Sequence, residues 1–346
     1  MKTIFAALLF IGAVSCNAVS DKGTAASLKE PSALKDSTDV APVEVQHEDT
    51  TANQSLTVDS AEYRALKIKI ANGDSSGRWP VKDPVPRKGA IFPKHRVIAY
   101  YGNLYSKQMG ILGELPKDSM FSRLKQEVDR WQKSDESFKV IPALHYIAVT
   151  AQTGGTKKRL RMPFHQIDTI LKWSDEIDAL TFLDIQVGWS TLQEEVPALE
   201  KYLAMPTVHF GIDPEFSMKD GDLPGKKIGT FNSDDINYVI DYLSSIVKKH
   251  NLPPKILVIH RFTSDMVTGY KNIKLTPEVQ VVIDMDGWGN KDLKRATWQR
   301  NIFPEPVQFT GFKIFYKNDL RNKPQGLYTP EELNKFVPMP LYIQYQ

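Results

Sequence analysis

The sequence predicts an α/β fold, a (β/α)8 TIM-type barrel over residues 95–346, preceded by a signal peptide and a disordered tether. Three observations predict it. Eight short apolar runs alternate with helix-patterned segments over about 250 residues, the count and size of such a barrel. The open doubly wound sheet, its competitor, normally carries a Gly-rich phosphate loop after its first strand, and "YYGNLY" is not one. Polar residues recur at the C-terminal ends of most of the runs, where barrels of this kind place their chemistry.

Lys2 precedes the apolar stretch "IFAALLFIGAVS", which runs into Cys16, the only cysteine. A basic start, a short apolar run and small residues before the cut make a secretory signal too short for a normal membrane span. "AVSC" resembles a bacterial lipobox. Residues 1–16 are thus expected to be a lipoprotein signal peptide, with Cys16 lipidated. The protein would then be anchored to a bacterial membrane in the cell envelope, periplasmic or surface-exposed. An ordinary signal peptide with an incidental cysteine is the competing reading. A lone cysteine permits no disulfide framework. Residues 17–60 are rich in Ser, Thr, Ala, Asp, Glu and Lys and cannot bury enough apolar surface to offset their ordering entropy, so a disordered tether is expected. Residues 61–94, with four prolines in "GRWPVKDPVPRKGAIFPKH", are expected to wrap the domain as irregular structure.

The strand-like runs are 96–102, 138–149, 177–188, 207–216, 255–262, 279–287, 309–316 and 340–346. Helical patterns lie between them at 120–132, 164–176, 190–203 and 233–250, with Ser233 as an N-cap, then a short one near 291–300 and a weak one at 330–336.

In "HFGIDPEF" (209–216), strand alternation puts Val208, Phe210 and Ile212 on one face and His209, Gly211, Asp213 and Glu215 on the other. In a barrel the second face looks at the axis. Strand three ends with Asp184 and Gln186, strand six with Asp284 and Asp286, and strand five with His260. Strand seven carries Lys313 and Tyr316, strand eight Tyr342 and Gln344, strand one Tyr100 and Tyr101, and strand two His145. Several acids with aromatic rings at a barrel mouth suit glycoside hydrolysis, which needs one protonated acid, one carboxylate and rings to stack on sugars.

Asp213 and Glu215 are the expected main acids, with Asp184 and Asp286 supporting charge or binding hydroxyls. Tyr101, Trp189 and Trp288 are candidate stacking rings; Gln186, His260, Asp284, Lys313, Tyr316 and Gln344 complete the candidate substrate-binding set. A two-residue spacing on one strand separates carboxyl groups by about 6–7 Å, between the retaining and inverting distances, so the stereochemistry stays open. The competing reading is a structural network in which Lys313 and His260 neutralise buried acids. In that network Glu215 would anchor an ion pair with Lys313 or Arg261.

Other chemistries find less support. A net charge of +3 and no basic block with interleaved aromatics give no case for nucleic acid. No HExxH, cysteine pair or tight His cluster points to zinc. An acid-rich mouth could hold Ca²⁺ or Mg²⁺, but no spacing requires it, so neither metal nor cofactor is expected. GxSxG elbows and P-loops are absent. The expected partners are a carbohydrate or glycan ligand and, through the N-terminal lipid, a membrane; the chain is expected to be a monomer. A non-catalytic glycan-binding or envelope-organising lipoprotein on the same scaffold is the alternative to an enzyme.

"YYG" with "MGILGE", then "LDIQVG", "GIDPEF", "VIHRF", "DMDGWG", "GFKIFY" and a terminal "IQYQ" resemble a family of uncharacterised bacterial secreted proteins and lipoproteins, over residues 96–346. The resemblance implies a glycoside-hydrolase-like barrel with no established substrate. The family pattern has "LDPEW", "HQF" and "GWKNFY", from which Phe216, Arg261, Phe312 and Ile314 depart. The apolar exchanges would alter a sugar platform, and Arg261 would add charge if it reaches the mouth. The Asp-x-Glu of "DPEF" is also similar to that of lysozyme-type barrels.

Overall fold

The computed structural model describes residues 56–321 and 325–346. The signal peptide, Cys16 and the expected tether up to residue 55 lie outside the described residues.

Eight parallel strands form the barrel: β1 His95–Gly102, β2 Lys139–Ala151, β3 Leu180–Ile185, β4 Val208–Ile212, β5 Lys255–Arg261, β6 Val279–Met285, β7 Phe309–Ile314 and β8 Tyr342–Tyr345. Each pairs with the next in sequence. Pairing of β8 with β1, which sets Val97 beside Tyr342, closes the ring. The predicted (β/α)8 barrel is the observed fold. Closure removes the unpaired edges an open sheet would expose.

Two apolar layers explain why these runs became strands. Outward residues such as Leu183, Phe210, Ile212, Leu257, Ile259 and Ile283 pack under the helices. Inward residues such as Val97, Ala99, Phe182, Val258, Val282 and Tyr342 fill the interior. Strands buried on both faces read as nearly continuous apolar runs. Helices Lys117–Ser134, Phe164–Glu176 and Ser233–His250 cover the outside. The last begins on a capping box in which Asn232, not Ser233, is the N-cap: its side chain accepts from Asp235 N, and Asp235 accepts from Asn232 N. Among the described residues no helix is long and apolar enough to cross a membrane.

Residues 61–94 differ from the irregular wrap expected. They open within a twelve-residue helix, Ser60–Ala71, capped by Asp59. It lies against the N-terminal end of the barrel, where Tyr63, Ile70 and Phe92 join the inner core. Asn72 Nδ2 donates to Asn334 O (3.0 Å) and Phe336 O (2.8 Å), and Ile70 O accepts from Met339 N (2.8 Å). Lys67 is buried in this floor because Asp83 lies 2.9 Å from its Nζ. Residues 56–60, placed in the expected tether, also make contacts with the barrel's base: Leu56 O accepts from Lys88 N, and Val58 N donates to Pro86 O.

Candidate active site

Neighbours in a parallel sheet project to the same side, so the pairing defines the inward set near the C-terminal ends. Tyr101 lies beside His145, Asp184 beside Gly211, His260 beside Asp284, Asp284 beside Gly311, and Lys313 beside Gln344. Two glycines make room for this polar layer. A Cβ on Gly211 would stand 2.6 Å from His145 Nε2 and 2.7 Å from Asp184 Oδ1. One on Gly311 would stand 2.5 Å from Asp284 Oδ1. Any larger residue would push these groups apart.

Asp184, fully buried, is the centre of the layer. Its Oδ2 accepts from the Tyr101 hydroxyl (2.9 Å) and lies 3.2 Å from His260 Nε2 and 3.8 Å from His145 Nε2. Ile185 N donates to its Oδ1 (3.0 Å). On its other side the His260 ring faces two more acids, with Nδ1 3.1 Å from Asp286 Oδ2 and 3.6 Å from Asp284 Oδ2. Lys313 Nζ lies 3.0 Å from Asp286 Oδ1 and 3.8 Å from the centroid of the Tyr101 ring. Gln344 Nε2 donates to the Tyr342 hydroxyl (2.9 Å), which is 2.5 Å from His145 Nδ1.

These contacts sort the charges. Burial opposes an ionised Asp184, but the two imidazoles, His260 first, outweigh it and hold the carboxyl well below its ordinary range. Burial likewise disfavours a charged His260, yet Asp184 and Asp286 keep its proton bound well above the ordinary histidine range. For His145 burial wins: its pKa falls to about 4, and the ring is neutral at pH 7. Asp284 is pushed up by burial more than His260 pulls it down. Asp286 is held below its ordinary range because Lys313 and His260 together outweigh burial.

The end of "HFGIDPEF" sits above this layer. Strand β4 stops at Ile212, and Asp213 caps a short 3-10 turn, Pro214–Phe216, by accepting from Glu215 N (3.0 Å). The two-residue strand period therefore does not set the spacing of this pair; the turn does. Gly229 N bonds Glu215 O (2.7 Å) and Gly188 N bonds Phe216 O (2.9 Å), which clamps the turn from two sides. Gln186 Nε2 is 3.4 Å from Asp213 Oδ2 while its Oε1 accepts from Ala151 N. Burial, reinforced by Asp286 and Asp184, raises Asp213 to about 7 against the pull of His260 and Lys313. Burial, then Asp213 and Asp286, raise Glu215 to about 8. Among the described residues, no cation forms an ion pair with either carboxyl.

Most of the predicted residues therefore converge: Asp184, Asp284, Asp286, Asp213, Glu215, His260, Lys313, Tyr101, Gln186 and Gln344. Trp189 and Trp288, 38% and 41% exposed, lie on the loops after β3 and β6. Trp189 is oriented by donation from Nε1 to Asp222 O (2.7 Å) and by Lys158 over its ring.

Tyr316 is not part of this layer. Past the end of β7 its hydroxyl donates to Glu127 (3.0 Å) and meets that of Tyr100 (3.0 Å), and its ring stacks on Tyr345, in the shell outside the barrel. Arg261 also turns outward, donating to Thr263 O and Ser264 O and pairing with Glu305, so it brings no charge to the mouth. Phe312 packs against Trp298, Tyr328 and Phe336 and offers no sugar platform. His145, Gly211 and Gly311 had no role assigned from the sequence. Their signals are a histidine within an apolar run and glycines at inward strand positions.

The fold and its polar mouth define a (β/α)8 barrel with a buried, acid-rich layer at the C-terminal ends of its strands. No protein-family model and no curated protein matches the chain, so the family resemblance drawn from its motifs finds no counterpart there. A solved structure titled Cellulase Cel5C_n is similar at 14% sequence identity and a TM-score of 0.42, covering 72% of this chain and 75% of that one. A likeness that distant says nothing about activity.

Proposed function

We propose that the protein is a glycoside hydrolase acting on a polysaccharide or cell-wall glycan, with Glu215 as the proton donor and Asp286 as the ionised partner. The observation that carries this reading is the unequal pairing of the acids around the mouth. Lys313 lies 3.0 Å from Asp286, whereas Glu215 has acidic neighbours and, among the described residues, no ion-paired cation. Glycosidic cleavage needs a carboxylic acid to protonate the leaving oxygen and a carboxylate to attack the anomeric carbon or activate water. Environments that drive two carboxyls in opposite directions assign those roles. Asp213, behind Glu215, serves chiefly to keep Glu215 protonated. Trp189 and Trp288 supply faces on which sugar rings can stack.

The test is incubation of the full mature chain with a panel of α- and β-linked polysaccharides and peptidoglycan, reading reducing ends. Release from at least one substrate is expected, and its absence from all of them overturns the reading. The confinement of Asp184 and Asp286 by His260 and Lys313 favours a second reading, a non-catalytic glycan-binding protein. That reading predicts a ligand-dependent rise in melting temperature with no new reducing ends.

The pH profile offers a sharper check. The log of kcat/KM should fall above pH about 8, where Glu215 loses its proton. An ordinary glutamate would ionise near pH about 4.3, so an alkaline limb centred there would remove Glu215 as the acid.

The proposal includes location. If Cys16 carries a lipid, Cys16→Ala should move the protein from the membrane fraction to the soluble fraction of the cell envelope. Equal membrane retention of wild type and variant overturns the anchoring.

A further inference from the structure

We propose that the barrel interior, one layer beneath the mouth, binds a divalent transition-metal ion of the zinc type through His145 Nε2, His260 Nε2 and Asp184 Oδ2. The inference stands apart from the glycan reading and can fail without it. All three residues are fully buried, come from β2, β5 and β3, and bring their ligand atoms within 4.8 Å of one another. Bonds of about 2.0–2.2 Å in a tetrahedral site set ligand atoms about 3.3–3.5 Å apart. Here Asp184 Oδ2 is 3.2 Å from His260 Nε2 and 3.8 Å from His145 Nε2. The ligands need shift only by tenths of an ångström along these two edges.

Three further observations point to an ion rather than to a closed hydrogen-bond network. First, both Nε2 atoms are buried without a hydrogen-bond partner among the described residues, although His260 Nε2 is close to Asp184. The separation is short, yet no hydrogen bond forms, and a buried polar atom left unpaired is costly.

Second, the remote nitrogen of each ring lies beside an oxygen of the kind that orients a metal-bound histidine, although His260 Nδ1, like both Nε2 atoms, makes no hydrogen bond as it stands. His260 Nδ1 faces Asp286 Oδ2 at 3.1 Å, and His145 Nδ1 faces the Tyr342 hydroxyl at 2.5 Å. In the metal-bound state both Nδ1–H groups donate to these oxygens, which frees both Nε2 lone pairs for the ion. Asp184 is oriented in turn by Tyr101 and Ile185 N.

Third, Gly211 lets His145 Nε2 and Asp184 draw together where a Cβ, 2.6 Å from Nε2 and 2.7 Å from Oδ1, would force them apart. Two imidazoles and one carboxylate suit zinc, iron or cobalt; calcium and magnesium want oxygen shells. Binding would displace the proton held on His260 Nε2 to solvent.

The test uses the untagged mature chain, freed of metal by chelator, then given Zn²⁺ or Co²⁺ and passed through gel filtration. A buried ion should exchange slowly, so the wild type should retain one Zn²⁺ per chain and show the intense visible bands of low-coordinate Co²⁺. His145→Gln and His260→Gln should lose both. Tyr342→Phe, which removes the hydroxyl beside His145 Nδ1 and leaves Gln344 Nε2 at 3.2 Å from that nitrogen, should bind about tenfold more weakly. No retention by the wild type, or undiminished retention by both histidine variants, overturns the site. If the histidine variants do not fold, Cu²⁺ spin resonance on the wild type decides. Hyperfine splitting from two nitrogens supports the site, and a spectrum without nitrogen splitting overturns it.

Discussion

Glu215→Gln should lose glycan cleavage by about 10²–10⁴-fold, the usual contribution of a positioned general acid, while the fold stays as stable as before or becomes more so. Glutamine keeps the shape of the protonated carboxyl but cannot donate an acidic proton. The stability sign follows from the raised pKa. A carboxyl whose pKa climbs from its ordinary value to about 8 on folding contributes stability that is full below the ordinary value and is lost as the pH rises through 8. The variant does not suffer that loss. Its advantage over wild type should therefore grow between pH about 4.5 and 8, to the order of 1–3 kcal/mol, held down by the partial exposure of the side chain. Melting curves at several pH values, with reducing-end assays beside them, measure both halves. A strongly destabilised variant would mean that Glu215 anchors the fold. Its lack of an ion-paired cation among the described residues argues against that, since Lys313 is engaged by Asp286 and Arg261 by Glu305.

Lys313→Met should have the opposite effect on stability, costing about 3–5 kcal/mol at pH 7, because it strands a buried carboxylate. Lys313 is 3% exposed and is the largest influence holding Asp286 ionised against burial. Methionine fills much of the space but leaves Asp286 facing His260 alone. The depressed Asp286 pKa contributes stability present above the ordinary aspartate value and lost as the pH falls through the folded value. The deficit of the variant should shrink in acid for that reason. Asp286→Asn added to Lys313→Met should recover most of the loss, because the double variant has neither charge. A single variant within about 0.5 kcal/mol of wild type would show that the pair carries no such weight.

The barrel was legible because its strands are buried on both faces and its polar residues cluster at one end of each. Asp184, Asp286 and His260 could be placed at the mouth from alternation alone. Their roles could not, since those depend on which cation meets which acid across strands distant in sequence. Nothing in "GFKIFY" says that Lys313 reaches Asp286. Alternation also fails where strands stop. Glu215 sits on a turn rather than on β4, whereas Tyr316, three residues from Lys313, lies on the outer face to which alternation sends it. The helix Ser60–Ala71 was hidden for another reason. Glu62, Arg64, Lys67 and Lys69 break any apolar stripe, and Lys67 is buried only because Asp83, far along the chain, neutralises it.

The floor of the barrel also fixes where a load would be felt. Leu56 enters beside residues 86–88, and Arg87 bonds Pro277 O just before β6, so the described chain begins at the end opposite Glu215. A leash attached ahead of Leu56 would pull on the base of the barrel. Were that leash the anchor proposed through Cys16, the end carrying Glu215 would be the one left unloaded. Tension would reach the helix Ser60–Ala71 and its Asn72 contacts before it reached the acids.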